Sequence, residues 1–364
     1  MDSEYMSYAE YKAAAFINKY YLYVICGLGF PGNIACMVTL TLMRPFRSSD
    51  VYMMTLAFAD FIALVIKLLF LKLTENNVQL GDLGCQLMYL FGSSIQTYAN
   101  WVLVLLTFER FIAVWFPLRV KKACRRRNSV CGLFCMFVFI VCAHLQFLFT
   151  FKEDGHELQT WTCTPRDRYA RFIQFVWYWI DGAMYALVPI VCLFIFNSLI
   201  IIAVRRSRQM QRRLSSREQR RPEEESISQQ RQITVMLLAA SIMFVILVLP
   251  NCVFFIVKEH LDWTGSGRKT AQYYLLQQLV FVLSDLSHAL NFYLYCVSGR
   301  KFRNKFAYLL CYFKTGRLTR SNRATLSRDV TRERENVLST GSTSMSIFTL
   351  SPRPSPVHIC KPSQ

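Results

Sequence analysis

Seven predominantly apolar runs, each long enough to cross a lipid bilayer, dominate the sequence: 20–43, 52–73, 85–115, 130–151, 172–204, 233–257 and 273–297. The first holds 24 residues without a charge. At about 1.5 Å of rise per residue, that exceeds the roughly 30 Å hydrocarbon core. Backbone polar groups in lipid must be paired within their own segment, so runs of this length are predicted to be helices. The fold class predicted is therefore an all-α membrane protein, a seven-transmembrane helix bundle. Composition agrees: 53% of residues are hydrophobic and 18% charged, against about 25% charged in soluble domains. Intrinsic disorder, collagen and a small disulfide scaffold are excluded.

The chain carries 42 Lys and Arg against 23 Asp and Glu, a net charge of +19. The basic residues cluster between apolar runs rather than on a polar domain, so membrane lipid is an expected partner and nucleic acid is not. Connections 44–51, 116–129 and 205–232 hold 17 Lys and Arg, whereas 1–19, 74–84, 152–171 and 258–270 hold 9. The positive-inside rule then places the N-terminus outside and the tail, with 13 more, inside. The expected organisation is an extracellular N-terminus (1–19) without a separate signal peptide, the bundle (20–297), an amphipathic helix on the inner leaflet (298–313) and a disordered cytoplasmic tail (314–364). In that short helix Phe302, Phe306, Leu309 and Leu310 share a face, suited to the membrane surface. Cys311 is either a palmitoylation site there or an unmodified thiol on lipid. The Ser/Thr-rich tail is open to phosphorylation.

Charged groups at membrane depth mark candidate functional sites. Asp60 and Lys67 lie in the second run, Glu109 and Arg110 at the end of the third, Asp181 in the fifth, Asp285 and His288 in the seventh. Of 13 cysteines most sit inside apolar runs as small buried hydrophobes; Cys85 and Cys163 face the oxidising side, where a bridge between them is expected. No Cys/His spacing suggests a metal, no Asn-x-Ser/Thr sequon occurs, and no hydrolase, phosphate-loop or metalloprotease motif points to an enzyme.

Over roughly 20–313 these residues resemble the rhodopsin-like (class A) G-protein-coupled receptors. The resemblance rests on Gly32-Asn33, Leu56-Ala57-Phe58-Ala59-Asp60, Cys85 standing 25 residues before Arg110, Glu109-Arg110-Phe111, Pro117-Leu118, Pro189, Phe244, Pro250, Asn291-Phe292-Tyr293-Leu294-Tyr295 and Phe302-Arg303. There are departures. Val248 stands two before Pro250 where the family has Trp, Phe292 replaces a Pro, Asn197 replaces a Tyr, and the fourth run lacks Trp. Ala99 replaces a polar residue that lines the family's sodium pocket. No cofactor is expected, and Ala99 speaks against Na⁺ at Asp60 and Asn291.

The resemblance implies a plasma-membrane receptor for an extracellular ligand that activates a heterotrimeric G protein, with an activation core of Asn33, Asp60, Pro189, Phe244, Pro250 and Asn291. Gly92 stands where amine receptors carry Asp, and Asp285 where opsins carry their retinal Lys. Lys67, Gln96, Asp181 and Asp285 with Tyr98, Trp177, Trp179, Tyr185 and Phe281 remain as ligand-binding candidates. Charges of both signs among aromatics suit a peptide, as in FMRFamide-type neuropeptide receptors. Asp181 or Asp285 would pair an Arg or Lys of that ligand; alternatively, Lys67 satisfies one of them internally. Glu109, Arg110, Phe111 and Tyr295 are the residues implied for G-protein coupling. Gln230 stands where relatives have a Glu that also holds Arg110, so that second lock is expected to be absent. The basic stretches 121–127 and 205–221 would meet lipid or G protein, and a receptor kinase acting on 315–355 would create an arrestin-binding tail. A weakly or non-signalling scavenger receptor of the same fold and a seven-helix transporter are the competing readings; internal repeats, which a transporter should show, are absent.

Overall fold

The computed structural model describes residues 4–42, 47–116, 124–155, 161–214, 221–258, 263 and 266–315, with the backbone alone at 155, 161, 207–208, 210–214, 221–234, 301 and 311–315. Pro117, Leu118 and the tail beyond 315 lie outside these residues, as do the side chains of Gln230 and Cys311. Seven described helices are long and apolar enough to cross a membrane. They are α1 (Ala9–Thr41), α2 (Ser48–Glu75), α3 (Gly81–Trp115), α4 (Arg126–His144, with a further turn Phe147–Thr150), α5, α6 (Arg221–Val257) and α7 (Gly267–Ser298). The fifth, α5, opens with short turns from Asp167, contains π-helical turns at Ile173–Trp177 and Ala183–Leu187, and ends with Val188–Leu214. The amphipathic α8 (Arg300–Thr315) follows.

Each apolar run is a helix, and most helices outlast their run because hydrogen bonding continues past the hydrocarbon. The extension at α1, which starts at Ala9 rather than at residue 20, has identifiable causes. Ala9, Ala13, Ala14 and Ala15 are strong helix formers. Arg268 at the start of α7 holds Glu10 at 3.0 Å, and Tyr5 and Tyr11 pack on Tyr274. Asp50 caps α2 by accepting from Arg47 N at 2.7 Å, and Ser266 caps α7.

Bundle packing runs inside out relative to a soluble protein. Phe194 and Val297 face outward at 73% and 79% exposure, while Asn33, Thr39 and Asp60 are buried. α3 is the central rod: 61% of its apolar window is buried, against 17% for α5. Small residues let helices approach closely. A Cβ on Gly29 of α1 would collide with Leu64 of α2 and stand 3.2 Å from Ala289 of α7.

Between α4 and α5 lies an antiparallel hairpin, β1 (Phe151–Gly155) and β2 (Trp161–Pro165), with Glu153 opposite Cys163. The Cys85–Cys163 disulfide, with Cα atoms 5.5 Å apart, ties β2 to α3. Glu153 adds a second tie: its carboxylate accepts from Leu80 N at 2.6 Å and Gly81 N at 2.9 Å, at the positive end of α3. The hairpin therefore covers the disulfide end of the bundle in a fixed position.

Candidate functional site

At the disulfide end a cavity of about 190 Å³ opens between α2, α3, α5, α6 and α7. Six of the sequence-predicted ligand residues line it: Lys67, Gln96, Asp181, Tyr185, Phe281 and Asp285. Lys67 donates to Asp285 Oδ1 as a salt bridge, and Tyr21 Oη donates to Oδ2 at 3.3 Å. Asp285 is thus satisfied from within. Asp181 has a different partner, His144 of α4, whose Nε2 lies 3.1 Å from Oδ1. His144 Nδ1 donates to the Ile140 carbonyl, which can only accept, at 2.8 Å. The contact with Asp181 is therefore a hydrogen bond only with one further proton between them. The Asp181 side chain keeps 36% exposure while His144 keeps none. Thr97 Oγ1 and Asn251 Oδ1, also in the lining, have no hydrogen-bond partner among the described residues.

Pro189 explains how α5 presents this wall. A proline has no N–H for the carbonyl four residues earlier, here Tyr185, and its ring crowds that oxygen. The chain widens into the π turn Ala183–Leu187, and two α3 side chains take the freed carbonyls. Asn100 Nδ2 donates to Tyr185 O at 2.8 Å and Trp101 Nε1 to Met184 O at 2.9 Å. Tyr185 Oη then reaches Ser284 of α7 at 2.8 Å.

Tyr98, Trp177 and Trp179 are not part of the cavity. Tyr98 faces α4, donating to Leu133 O at 3.3 Å with its ring edge-on to Phe137. Two residues from Gln96, it lies about 200° around the same helix, so both cannot face one cavity. Trp177 is buried against His144 and Phe147, and Trp179 is 47% exposed on the outside of the bundle. Sequence reasoning missed His144, Asn100, Trp101 and Asn251. An intramembrane histidine was the available signal for the first.

Halfway along the bundle, Asp60 is 1% exposed. His288 Nδ1 donates to its Oδ1 and Asn291 Nδ2 to its Oδ2, both at 2.8 Å. Asn33 Nδ2 donates to the His288 carbonyl at 3.0 Å, joining α1 to the group. Phe244 lines the small space beside it. Pro250 sits inside α6, and Pro189 is buried.

At the opposite end from the disulfide, Arg110 and Glu109 are 8% and 5% exposed and 3.4 Å apart. Ser48, at the start of α2, donates to Glu109 Oε1 at 2.5 Å. Arg110 Nε and Glu109 Oε2 have no partner among the described residues. Beside them, burial and then the Glu109 charge push the Cys124 thiol above its ordinary pKa. Phe111 instead packs on Phe196 and Trp115, toward α5. Tyr295 is wholly buried, its ring near Phe302 of α8 and its hydroxyl without a partner among the described residues. Phe292, in the place of the family's proline, packs on Phe302 and Phe306.

Seven membrane-crossing helices, a polar cavity under a disulfide-tied hairpin and a buried arginine at the far end define a seven-transmembrane receptor architecture. The sequence matches the 7 transmembrane receptor (rhodopsin family) over residues 32–295, and the chain belongs to that family. It is 24% identical over 322 residues to a probable G-protein coupled receptor of Caenorhabditis elegans, covering 83% of this chain and 72% of the relative. Human growth hormone secretagogue receptor type 1 is 28% identical over 188 residues, 48% of this chain and 49% of that receptor. A human purinoceptor is 27% identical over 150 residues, 40% of each chain. This is a multi-pass membrane protein of the G-protein-coupled receptor class.

Proposed function

We propose that the chain is a plasma-membrane receptor, its N-terminus and disulfide end outside, for an extracellular neuropeptide of the FMRFamide type. The ligand enters the cavity beneath the hairpin, and a guanidinium or ammonium group of the peptide pairs with Asp181. One observation carries this reading: Asp181 is the lining carboxylate with a face still open to the cavity, whereas Lys67 already spends its charge on Asp285. A cation is therefore met by spare acceptor capacity, and a phosphate finds the lining cation, Lys67, already engaged. The names of the two human relatives point to different ligands, a secretagogue and a purine; the charge distribution favours the first kind.

Signal passes to a heterotrimeric G protein at the Arg110 end, where outward movement of α6 exposes the guanidinium. The tail recruits receptor kinase and arrestin, and Cys311 takes a lipid anchor. The class is one of receptors and not of enzymes.

The test is GTPγS exchange on membranes carrying the full chain, screened with amidated peptides and with nucleotides. Stimulation by an Arg-containing peptide, lost in Asp181→Asn and with the peptide's Arg→Gln, supports the reading. Stimulation by nucleotides alone, or a peptide response indifferent to Asp181, contradicts it.

A further inference from the structure

The family resemblance implies a sodium ion between Asp60 and Asn291, and the residues around Asp60 do not fit one. A hard cation held by a carboxylate collects about six oxygen ligands, as calcium does. Here both oxygens of Asp60 are engaged by N–H donors: His288 Nδ1 and Asn291 Nδ2, each at 2.8 Å. Those hydrogens point their positive ends at the carboxylate, into the positions a cation would take. The space left beside the pair is about 10 Å³, room for about one water and not for an ion with its shell. The α3 wall contributes the Ala99 methyl, Leu103 and Asn100, whose amide N–H is spent on the Tyr185 carbonyl, and Ser287 spends its hydrogen on the Ser284 carbonyl at 2.7 Å.

His288 cannot easily step aside. It is 1% exposed, and its own carbonyl is gripped by Asn33 at 3.0 Å, which fixes the height of α7 against α1. The adjoining Ala289 packs within 3.2 Å of where a Cβ on Gly29 would lie. Moving the ring out would leave a buried carboxylate with one donor fewer, an unfavourable change in a low-dielectric interior.

We propose that His288 is the resident partner of Asp60 in place of sodium, and that this receptor is blind to sodium ions. The imidazole bridges α7 to α2 with a covalently attached group, so the central lock is present whatever the ionic composition of the medium. Conformational equilibria that depend on a diffusible ion in a sodium-binding protein depend here on the hydrogen bonds of His288 and Asn291 to Asp60.

The experiment is thermal unfolding of the purified full chain while sodium chloride replaces N-methylglucamine chloride at constant ionic strength. An ion that binds only the folded state raises the melting temperature with its concentration. The expected result is a flat curve for the wild type and for Ala99→Ser, and a sodium-dependent rise in the double variant Ala99→Ser/His288→Ser, abolished by adding Asp60→Asn. A rise in the wild type overturns the proposal. A rise in Ala99→Ser alone overturns the role given to His288, because the methyl would then be what excludes the ion. A flat curve in a folded double variant does the same. Should the double variant fail to fold, ²³Na line broadening on the wild type decides: competable broadening that Asp60→Asn removes contradicts the proposal, and its absence supports it.

Discussion

Asp60 and Asp181 each meet a histidine of a neighbouring helix, yet Asp60 adjoins a space of about 10 Å³ and Asp181 a cavity of about 190 Å³. Around Asp60 each carboxylate oxygen has a donor and the aspartate is sealed. Around Asp181 a single histidine contact is made, and a third of the side chain remains open. An aspartate beside a histidine is thus closed in one place and receptive in the other, and both room and a second donor, Asn291, make the difference. It follows that polar groups in the middle of the bundle hold helices together, while those at the disulfide end have capacity left for a partner.

The division of labour can be broken most severely at the end far from the disulfide. Arg110→Ala should abolish agonist-stimulated GTPγS exchange and leave binding of a labelled peptide agonist unchanged, because no residue between Arg110 and the cavity is altered. Equal loss of binding and exchange would mean the two ends are not separable. The expected effect is complete loss of signal, larger than any of the stability changes below.

Next in size is the contrast of Asp60→Ala with Asp181→Ala, measured by chemical unfolding in detergent. Asp60→Ala strands the His288 and Asn291 donors in a buried site and should cost about 3 kcal/mol. Asp181→Ala unpairs a single nitrogen of buried His144 beside the open cavity and should cost less, about 1 kcal/mol. Equal losses would show that burial does not distinguish the two pairs.

Much of this arrangement was legible in the residues and some was not, for identifiable reasons. Apolar length alone gave the helices, because lipid leaves the backbone no alternative. Cys85 and Cys163 were legible as a pair since both lay on the oxidising side. The alternative in which Lys67 satisfies an aspartate internally is the one realised, with Asp285. The partner of Asp181 was not legible: His144 is 37 positions away on another helix, and its position follows from how α4 and α5 pack. The π turn was half legible, since Pro189 signals an unpaired carbonyl but not which α3 side chain takes it. Tyr98 was a plain error of geometry, because helical periodicity already separates it from Gln96.

Asn100 sharpens the contrast further, since it borders the central space and also bonds the Tyr185 carbonyl in the cavity wall. Asn100→Ala should cost about 1–2 kcal/mol by leaving that carbonyl unpaired. In a Pro189→Ala background the backbone regains an N–H for Tyr185, so the same substitution should cost less than half as much. A double-mutant cycle measures this directly. Additive losses would mean that Asn100 acts elsewhere and that the proline does not cause the π turn.

The smallest effect is expected at Tyr98, and it tests where the cavity stops. Tyr98→Phe removes a hydroxyl that bonds the Leu133 carbonyl of α4 and touches no cavity-lining group. Stability should fall by about 0.6 kcal/mol, and peptide affinity should stay within about twofold of wild type, since tenfold corresponds to about 1.4 kcal/mol. Tyr185→Phe removes a hydroxyl that meets Ser284 inside the cavity, so it should alter affinity as well as stability. If Tyr98→Phe changed affinity as much as Tyr185→Phe, the ligand would have to reach between α3 and α4, and the cavity boundary drawn at Thr97 would be misplaced.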